Sequence, residues 1–420
     1  MKIRRIIRGS GWLIVKNSIY GMAGAVFGQA VAMLTSVVMG RLLGVQGVGT
    51  YSFAVTFAAI AYMFLNLGLG GIFQRNIARD LRVAEKLYSN ALALRILFSI
   101  PMSFIVAITV SVLLRRTDDL LMLLLACFYT GLTGVFSLIG EGITAIERFS
   151  VSFWYNCIQK ILIFISTFIT LYFTRSMTIM LIFHNLVFII LIFTELFYVN
   201  RNLCKVHLEL DILFCKELVR ESAPTILGAA AEYVSLKSDL LVISILIGDV
   251  ANGLYSISSN IYIAASFIPL AMAKAATPTF NRMYANKECV YGIVKNTFKW
   301  MLVASVLLIV GIFVLGKWGI TILWGSEFEM AAESLKILSV SLLFMPFNRF
   351  FEYLLVGLNK QRIVARYTAW GAIFNVIANV LLVPVLGMNA VAITTIVTEC
   401  IVMVMELKVL RKAKLLESGE

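Results

Sequence analysis

Ionisable side chains stand inside several long apolar stretches of this 420-residue sequence. A charge in such a place costs several kcal/mol and is a functional candidate by default. Arg and Lys there can bind an anion, and Arg can hold a phosphate through two parallel hydrogen bonds. A carboxylate there can carry a proton or a sodium ion. The basic candidates are Arg95, Lys237 and Arg349, and the acidic candidates are Asp239 and Glu399.

Each of these side chains also has a structural interpretation. Arg95 and Lys160 lie one to two turns from the ends of their stretches, so both could extend to the lipid headgroups. Arg349 and Glu352 are three residues apart on one helix face and could neutralise each other. The acidic candidates could equally be structural partners. Lys237 lies too deep to reach the membrane surface easily, which favours a role in a water-filled path.

Other reactive residue types form no pattern of a catalytic or metal site. The six cysteines are scattered without a CxxC spacing, and His184 and His207 are far apart. Gly311 to Lys317 has the spacing of a phosphate-binding loop. However, Trp318 stands where Ser or Thr should hold magnesium, and the stretch is apolar. The sequence therefore predicts no catalytic residue, no metal, no cofactor and no enzymatic activity.

The composition indicates a membrane protein. Hydrophobic residues make up 60% and charged residues 14%, against about 45–50% and about 25% in an ordinary soluble domain. No soluble fold of this length could bury so much apolar surface, which excludes a soluble enzyme, a nucleic-acid-binding protein, a disordered chain and a disulfide scaffold. The net charge of +13 indicates contact with the membrane surface, because the basic residues lie between apolar runs.

Long apolar stretches define the predicted architecture. A helix that crosses the bilayer needs about 20 mainly apolar residues, and the sequence contains twelve such stretches joined by loops too short for a separate catalytic domain. We therefore predict an all-α polytopic membrane protein. The stretches lie near 18–39, 50–70, 91–114, 119–140, 153–174, 177–199, 222–247, 253–275, 298–316, 333–357, 367–386 and 389–409.

The distribution of basic residues predicts the orientation. Most Lys and Arg residues outside the stretches fall on the side of the amino terminus. An excess of basic residues marks the cytoplasmic side of a membrane protein. Because the number of spans is even, both termini are predicted to be cytoplasmic, in the plasma membrane.

An internal repeat divides the chain into halves. With a shift of 204 residues, positions 18–52 match 222–256 at nine of 35 positions without a gap, where roughly two or three matches are expected by chance. The repeat joins the first span to the seventh, which predicts six-helix lobes at 1–216 and 217–420 related by a pseudo-two-fold axis along the membrane normal. Transporters built from such repeats carry the substrate between the two halves.

Glycine-rich motifs accompany this repeat. GRLLGVQGVGTYSFAV (40–55) is followed by NLGLGGIFQRNIAR (66–79), and SDLLVISILIGDVANGLYSISSNIY (238–262) occupies the matching place in the second half. Further motifs lie at 323–344 and 382–399. In this order they resemble the polysaccharide transporter, or oligosaccharide flippase, family of the multidrug/oligosaccharidyl-lipid/polysaccharide flippase superfamily.

The resemblance implies two six-helix lobes around a cleft that opens alternately to each side. It implies a polyprenyl-pyrophosphate-linked oligosaccharide as substrate, with Arg95, Lys237 and Arg349 forming a cationic cleft for the pyrophosphate. Lys237 and Asp239 keep the family's pattern of a basic residue, a spacer and Asp, with Lys in place of the commoner Arg. Asp239 or Glu399 could couple transport to H⁺ or Na⁺. Membrane lipids, a polysaccharide polymerase and other glycan-assembly proteins are the expected partners, and nucleic acid is not.

Two other functions stay open at this point. A drug or cation antiporter of the same superfamily would favour an acidic cleft in the first half, yet the first two spans contain no Asp or Glu. A membrane-embedded polysaccharide polymerase or ligase would need a substantial external loop. The leading interpretation is a flippase that moves a lipid-linked oligosaccharide from the cytoplasmic to the outer leaflet by alternating access, for cell-surface polysaccharide biosynthesis.

Overall fold

The computed structural model describes the backbone of residues 2–65, 68–286, 288–358 and 360–412, and it contains no strand in these ranges. The side chains at 2–16, 18, 19, 22, 64, 223–232, 235 and 236 lie outside this description. The α-helices are α1 (Lys2–Leu65), α2 (Leu69–Arg79), α3 (Ala84–Leu94), α4 (Ile100–Leu113), α5 (Leu120–Ala145), α6 (Phe149–Thr174), α7 (Met177–Asn202), α8 (Ile212–Ile247), α9 (Asp249–Ala285), α10 (Tyr291–Leu323), α11 (Ala331–Ser339), α12 (Met345–Gly357), α13 (Gln361–Leu386) and α14 (Asn389–Lys412).

The predicted membrane spans fall on these helices. Within the described residues, nine helical stretches are long and apolar enough to cross a membrane. The twelve spans predicted from the sequence and these nine stretches differ at three places. The first two predicted spans share α1, the seventh lies in α8 partly on side chains outside the description, and the tenth is divided between α11 and α12. The predicted all-α, multi-pass membrane architecture is confirmed.

The chain divides into two compact units. The first contains Met1–Leu42 and Ala54–Ala230, and the second contains Leu43–Phe53 and Ala231–Glu420. The division falls inside α8, so the predicted lobe boundary at 216/217 precedes it. The second unit also takes a short piece of α1.

Helices α2, α3, α5 and α7 contribute to the core of the first unit. Tyr88 of α3 is fully buried, and its ring meets that of Phe73 edge-on with the ring centroids 4.8 Å apart. Its hydroxyl donates to the carbonyl of Ile139 at 3.0 Å. A buried tyrosine whose hydroxyl has a partner combines a large apolar contact with a satisfied polar group. This packing fixes α3, whose last turn leads directly into Arg95.

A widened helical turn connects α3 to α4. The turn covers Arg95–Ser99 and has the spacing of a π-helix. Pro101 follows in α4, where it lacks an amide hydrogen for the carbonyl four residues earlier. Single π turns inside helices are frequent at functional sites. The turn therefore marks the neighbourhood of Arg95 as a place where regular helix geometry is interrupted.

Two glycines at equivalent positions of the internal repeat have the same unusual backbone. Gly44 has a φ angle of 69° and Gly248 a φ angle of 96°. Both values lie in the left-handed region, which side-chain-bearing residues rarely adopt. Each glycine therefore allows the chain to turn sharply between one predicted span and the next, and the two repeat copies share this local structure.

A second pair of repeat-related glycines lies at a helix crossing within the second unit. A Cβ atom added to Gly49 would overlap the carbonyl of Asp249, and one added to Gly253 would overlap the carbonyl of Val45. The overlap is reciprocal because the four positions are two repeat-related pairs. The Asn252 side-chain amide donates to the Gly49 carbonyl at 2.8 Å. Here α1 and α9 touch backbone to backbone, which small residues alone permit.

Asp211, directly before α8, makes a contact whose strength should depend on pH. Asp211 accepts the amide hydrogen of Phe214 at 3.1 Å and pairs with Lys86 at 2.8 Å. The hydrogen bond from Lys86 holds the pKa of Asp211 below its ordinary value. A carboxyl with a lowered pKa stabilises the folded state above its unfolded pKa and loses that contribution as the pH falls.

We therefore expect Asp211→Asn, which keeps the cap, to lower the melting temperature slightly at neutral pH. The difference should shrink as the pH falls through the lowered pKa of Asp211 and vanish where the carboxyl is protonated in both states. Circular dichroism melting of the detergent-solubilised protein measures it. A difference that is equal at neutral and acid pH would contradict the charge effect.

Candidate functional site

The second unit brings three of the five predicted residues to one small polar cavity. Asp239 of α8, Arg349 of α12 and Glu399 of α14 line a space of about 60 Å³. Tyr255 and Tyr262 of α9 line it as well. The helices satisfy their own backbone groups, so the polarity of the cavity depends on these side chains. Residues that are distant in the sequence thus meet inside an apolar unit.

Asp239 is held in a network of polar side chains. It is 8% exposed, and its Oδ1 accepts a hydrogen bond from the Asn379 amide at 2.9 Å. Its Oδ2 accepts from the Tyr255 hydroxyl at 3.4 Å. The Asn379 amide also donates to the Asn375 oxygen at 3.0 Å, and the Asn379 oxygen accepts from the Thr394 hydroxyl. Side chains from α9 and α13 therefore donate directly to one carboxylate of α8, and a residue of α14 joins the network through Asn379.

This network has the chemistry to hold one positive charge. Carboxylate, amide and hydroxyl oxygens are the ligands that hard cations prefer, and a carboxylate can alternatively take a proton. The network contains a single acidic side chain, Asp239, and the Lys237 ammonium is close enough to interact with its charge. In the part of the chain that the structure describes, no group of three or more His, Cys, Asp or Glu side chains could hold a metal ion.

Glu399 and Arg349 have separate partners on the same wall. The Asn348 amide donates to Glu399 Oε2 at 2.6 Å and to the Glu399 carbonyl at 2.8 Å. Arg349 Nη1 donates to Glu352 Oε2 at 2.8 Å, and the Thr368 hydroxyl approaches Glu352 Oε1 at 3.5 Å. The pair suggested by the sequence spacing is therefore present. Arg349 lines the cavity with part of its charge compensated.

A further acid of this unit escaped the sequence reasoning. Glu406 is 1% exposed, and its Oε2 has no hydrogen-bond partner among the described residues. It is close enough to Glu352, Glu399 and Arg349 to interact with them electrostatically. Glu399 and Glu406 are seven residues apart, hence on one face of α14. That spacing was the available signal, and the position at the end of the predicted span concealed it.

Lys237 lies two residues before Asp239 on α8. Its side chain is half-buried, and its ammonium interacts with the Asp239 charge. The basic residue and the acid that share the sequence pattern are thus also neighbours in space. An ammonium beside a buried carboxylate lowers the cost of keeping that carboxylate charged.

Arg95 belongs to the first unit. It is only 2% exposed, and its Nη1 donates to the carbonyl of Gly134 in α5. Its Nε has no partner among the described residues. Protein groups surround this guanidinium, which distinguishes it from a surface side chain that extends along a helix end.

The first unit also contains two neighbouring, partly open cavities with polar residues in their walls. One has a volume of about 500 Å³ and the other about 390 Å³. Thr144, Ser152, Asn156 and Lys160 line both of them. The sequence left open whether Lys160 extends to the lipid headgroups, and the structure places it in the lining of both cavities.

Comparisons with known families agree with this architecture. Residues 14–284 match the family described as "Polysaccharide biosynthesis protein", and residues 224–381 match the MatE family. A 93-residue segment is 33% identical to an uncharacterized membrane protein of Methanocaldococcus jannaschii. That segment covers 22% of this chain and 18% of that protein.

Solved structures share the fold over nearly the whole chain. The inward-facing conformation of a multidrug resistance MATE family transporter aligns with a TM-score of 0.73 and 15% identity, covering 97% of this chain and 100% of that one. The lipid II flippase MurJ in its inward closed conformation aligns with a TM-score of 0.73 and 13% identity, covering 94% and 87%. A transporter from Pyrococcus furiosus aligns with a TM-score of 0.59 and 15% identity, covering 96% and 97%.

At these identities the structural likeness establishes the fold, and the family match over residues 14–284 establishes the relationship. Both findings agree with the membrane spans, the internal repeat and the polar interior of the chain. This chain belongs to the polysaccharide biosynthesis protein family and has the fold of the multidrug/oligosaccharidyl-lipid/polysaccharide flippase superfamily transporters.

Proposed function

We propose that this protein is a flippase for a lipid-linked oligosaccharide. It would carry a polyprenyl-pyrophosphate-linked glycan from the cytoplasmic to the outer leaflet of the plasma membrane by alternating access, for cell-surface polysaccharide biosynthesis. The family match supports the glycan, and the fold shared with a lipid II flippase supports a lipid-linked substrate.

The observation that carries the proposal is the presence of basic side chains inside both units. Arg95 is enclosed in the first unit, while Lys237 and Arg349 stand near or on the polar cavity of the second. A pyrophosphate leaves water when it enters a membrane protein, and fixed cations offset that desolvation. No covalent chemistry is required of the chain, since movement of the headgroup is the whole reaction.

We further propose that an ion gradient drives the movement. Asp239, with its surrounding oxygens, and Glu399, paired with Asn348, are the sites that would carry H⁺ or Na⁺. A flippase would also work beside a polysaccharide polymerase and other glycan-assembly proteins, which use its product on the outer leaflet.

The test is to delete the gene and locate the lipid-linked oligosaccharide. We expect it to accumulate on the cytoplasmic leaflet, and the wild-type gene to restore surface glycan. Lys237→Met and Arg349→Gln remove one charge each with little change in side-chain size. Hydrogen bonds to charged groups contribute about 1.5–3 kcal/mol, so export should fall by roughly ten- to a hundredfold at equal protein level.

Arg362→Gln is the matched control, because Arg362 is exposed at the start of α13. Normal surface glycan with unchanged intermediates in the deletion strain would contradict the flippase.

The second candidate function is an ion-coupled multidrug or cation antiporter. The MatE match over residues 224–381 favours it, as do the buried acids Asp239 and Glu406 and the half-buried Glu399. The same deletion strain separates the two functions. Altered resistance to cationic dyes with intact glycan export would support the antiporter.

A further inference from the structure

Two acidic side chains line the smaller cavity of the first unit, and each has one carboxylate oxygen without a hydrogen-bond partner among the described residues. Glu195 of α7 is 1% exposed and lines the smaller cavity of about 390 Å³. Its Oε2 has no hydrogen-bond partner among the described residues, and the same holds for Oε2 of Glu141 on the same wall. A buried carboxylate oxygen without a donor costs more than an ordinary lost hydrogen bond. Both oxygens could therefore accept hydrogen bonds from a bound ligand.

Hydrogen-bond donors and acceptors both line this space. Lys160 and Gln159 of α6 line it together with the two carboxylates, and Asn156 lines both cavities. Lys160 forms no ion pair with Glu141 or Glu195 within the described structure. Its ammonium stays available to a ligand. The wall therefore offers a ligand both hydrogen-bond donors and acceptors, with two carboxylates and one ammonium.

One side of the same cavity is aromatic. The rings of Tyr129 and Phe188 meet edge-on with their centroids 5.4 Å apart, and those of Phe136 and Phe188 meet edge-on with their centroids 5.7 Å apart. All three line the cavity. An apolar ring surface facing a wall of mixed donors and acceptors suits a ligand with an apolar face and a rim of hydroxyl groups.

We propose that this cavity binds a neutral hexose or N-acetylhexosamine residue of the transported glycan. The hydroxyls of the sugar donate to Glu195 and Glu141 and accept from Lys160 and Gln159, while its C–H face packs on the aromatic side. This site lies within the first unit and is additional to the cationic residues assigned to the pyrophosphate. The inference rests on the proposed function for its cargo, but the binding itself can be measured alone.

The experiment uses the full chain in lipid nanodiscs and saturation-transfer difference NMR. The probes are methyl glucoside, methyl N-acetylglucosaminide and glucuronic acid, with a rhodamine dye as cationic competitor. We expect the two neutral sugars to give transfer signals from the sugar C–H protons. Glu195→Leu should weaken binding about tenfold or more, because a hydrogen bond to a charged group contributes about 1.5–3 kcal/mol. Gln159→Leu should weaken it roughly two- to tenfold, because a hydrogen bond between neutral groups contributes about 0.5–1.5 kcal/mol.

Two controls keep the result interpretable. Glu209→Gln changes an exposed acid outside the helices and should leave sugar binding unchanged. Thermal unfolding of each variant verifies that it is folded, and Gln159→Leu supplies a second reading if Glu195→Leu does not fold.

The outcomes also separate this inference from the proposed function. The sugar site is contradicted if neither neutral sugar gives a transfer signal, or if the dye displaces the sugars. This holds even if the deletion strain accumulates the lipid-linked glycan on the cytoplasmic leaflet. Preference for glucuronic acid would overturn the neutral class and indicate recognition by Lys160. If the protein in nanodiscs binds the sugars but glycan export does not depend on the gene, the proposed flippase function is contradicted and the sugar site is not.

Discussion

Asp239→Asn should abolish the dependence of transport on the driving ion. Asparagine keeps the size of the side chain and can still accept from Asn379, which lies 2.9 Å away in the wild type. It removes the negative charge to which Tyr255 of α9 and Asn379 of α13 donate hydrogen bonds. Without that charge the network has no means of balancing H⁺ or Na⁺ in a region of low dielectric constant. Export driven by an ion gradient should therefore fall to the level of the deletion strain.

The measurement is uptake of a lipid-linked oligosaccharide into sealed vesicles with an imposed proton or sodium gradient. Asp118→Asn is the matched control, since Asp118 is exposed in the loop before α5. Glu399→Gln should reduce the same coupling if Glu399 carries the ion instead. Retention of full gradient dependence in Asp239→Asn would show that Asp239 does not bind the ion.

Gly253→Ala should disrupt the crossing of α1 and α9. The added methyl group would occupy the place of the Val45 carbonyl, and backbone cannot move aside as a flexible side chain can. Overpacking in a well-packed core costs about 1–3 kcal/mol, and a clash with backbone belongs at the upper end. At about 2–4 °C per kcal/mol for a domain of 150–250 residues, we expect a fall of roughly 5–10 °C in melting temperature together with lost export.

Gly311→Ala provides the control, because a methyl group there would meet no atom within 4 Å. Gly49→Ala should reproduce the loss, since its methyl group would meet the Asp249 carbonyl at the same crossing. The two changes open one contact, so the double variant should lose less than the sum of the single losses. Full additivity, or an unchanged melting temperature in Gly253→Ala, would contradict the reciprocal contact.

The sequence determined the membrane helices and the repeat. A bilayer dictates the length of each span and forbids an unpaired backbone inside it, so long apolar runs predict helices almost without reference to neighbours. Gly44 and Gly248 could likewise be recognised in advance, because a sharp reversal between two spans requires a residue with backbone freedom. These features are local, and local sequence specifies them.

The sequence predicted only some of the polar residues that form the site in the second unit. Asp239 and Glu399 drew attention because a charge in an apolar stretch is conspicuous. Asn375, Asn379 and Thr394 did not, since neutral polar residues are common in membrane helices and their hydrogen-bonding partners lie on other helices. Their role depends on which faces of three helices meet.

Which polar side chains have a hydrogen-bond partner, and which do not, depends on how the helices pack. Arg349 found its partner one turn away, as its spacing allowed. Glu195 and Glu406 were left with a buried oxygen that no described residue satisfies. Apolar runs predict that a helix enters the membrane, but its rotation about its own axis is set by packing against other helices. That rotation determines whether an acid faces lipid, a partner or an enclosed space, and sequence periodicity in nearly uniform apolar helices carries little information about it.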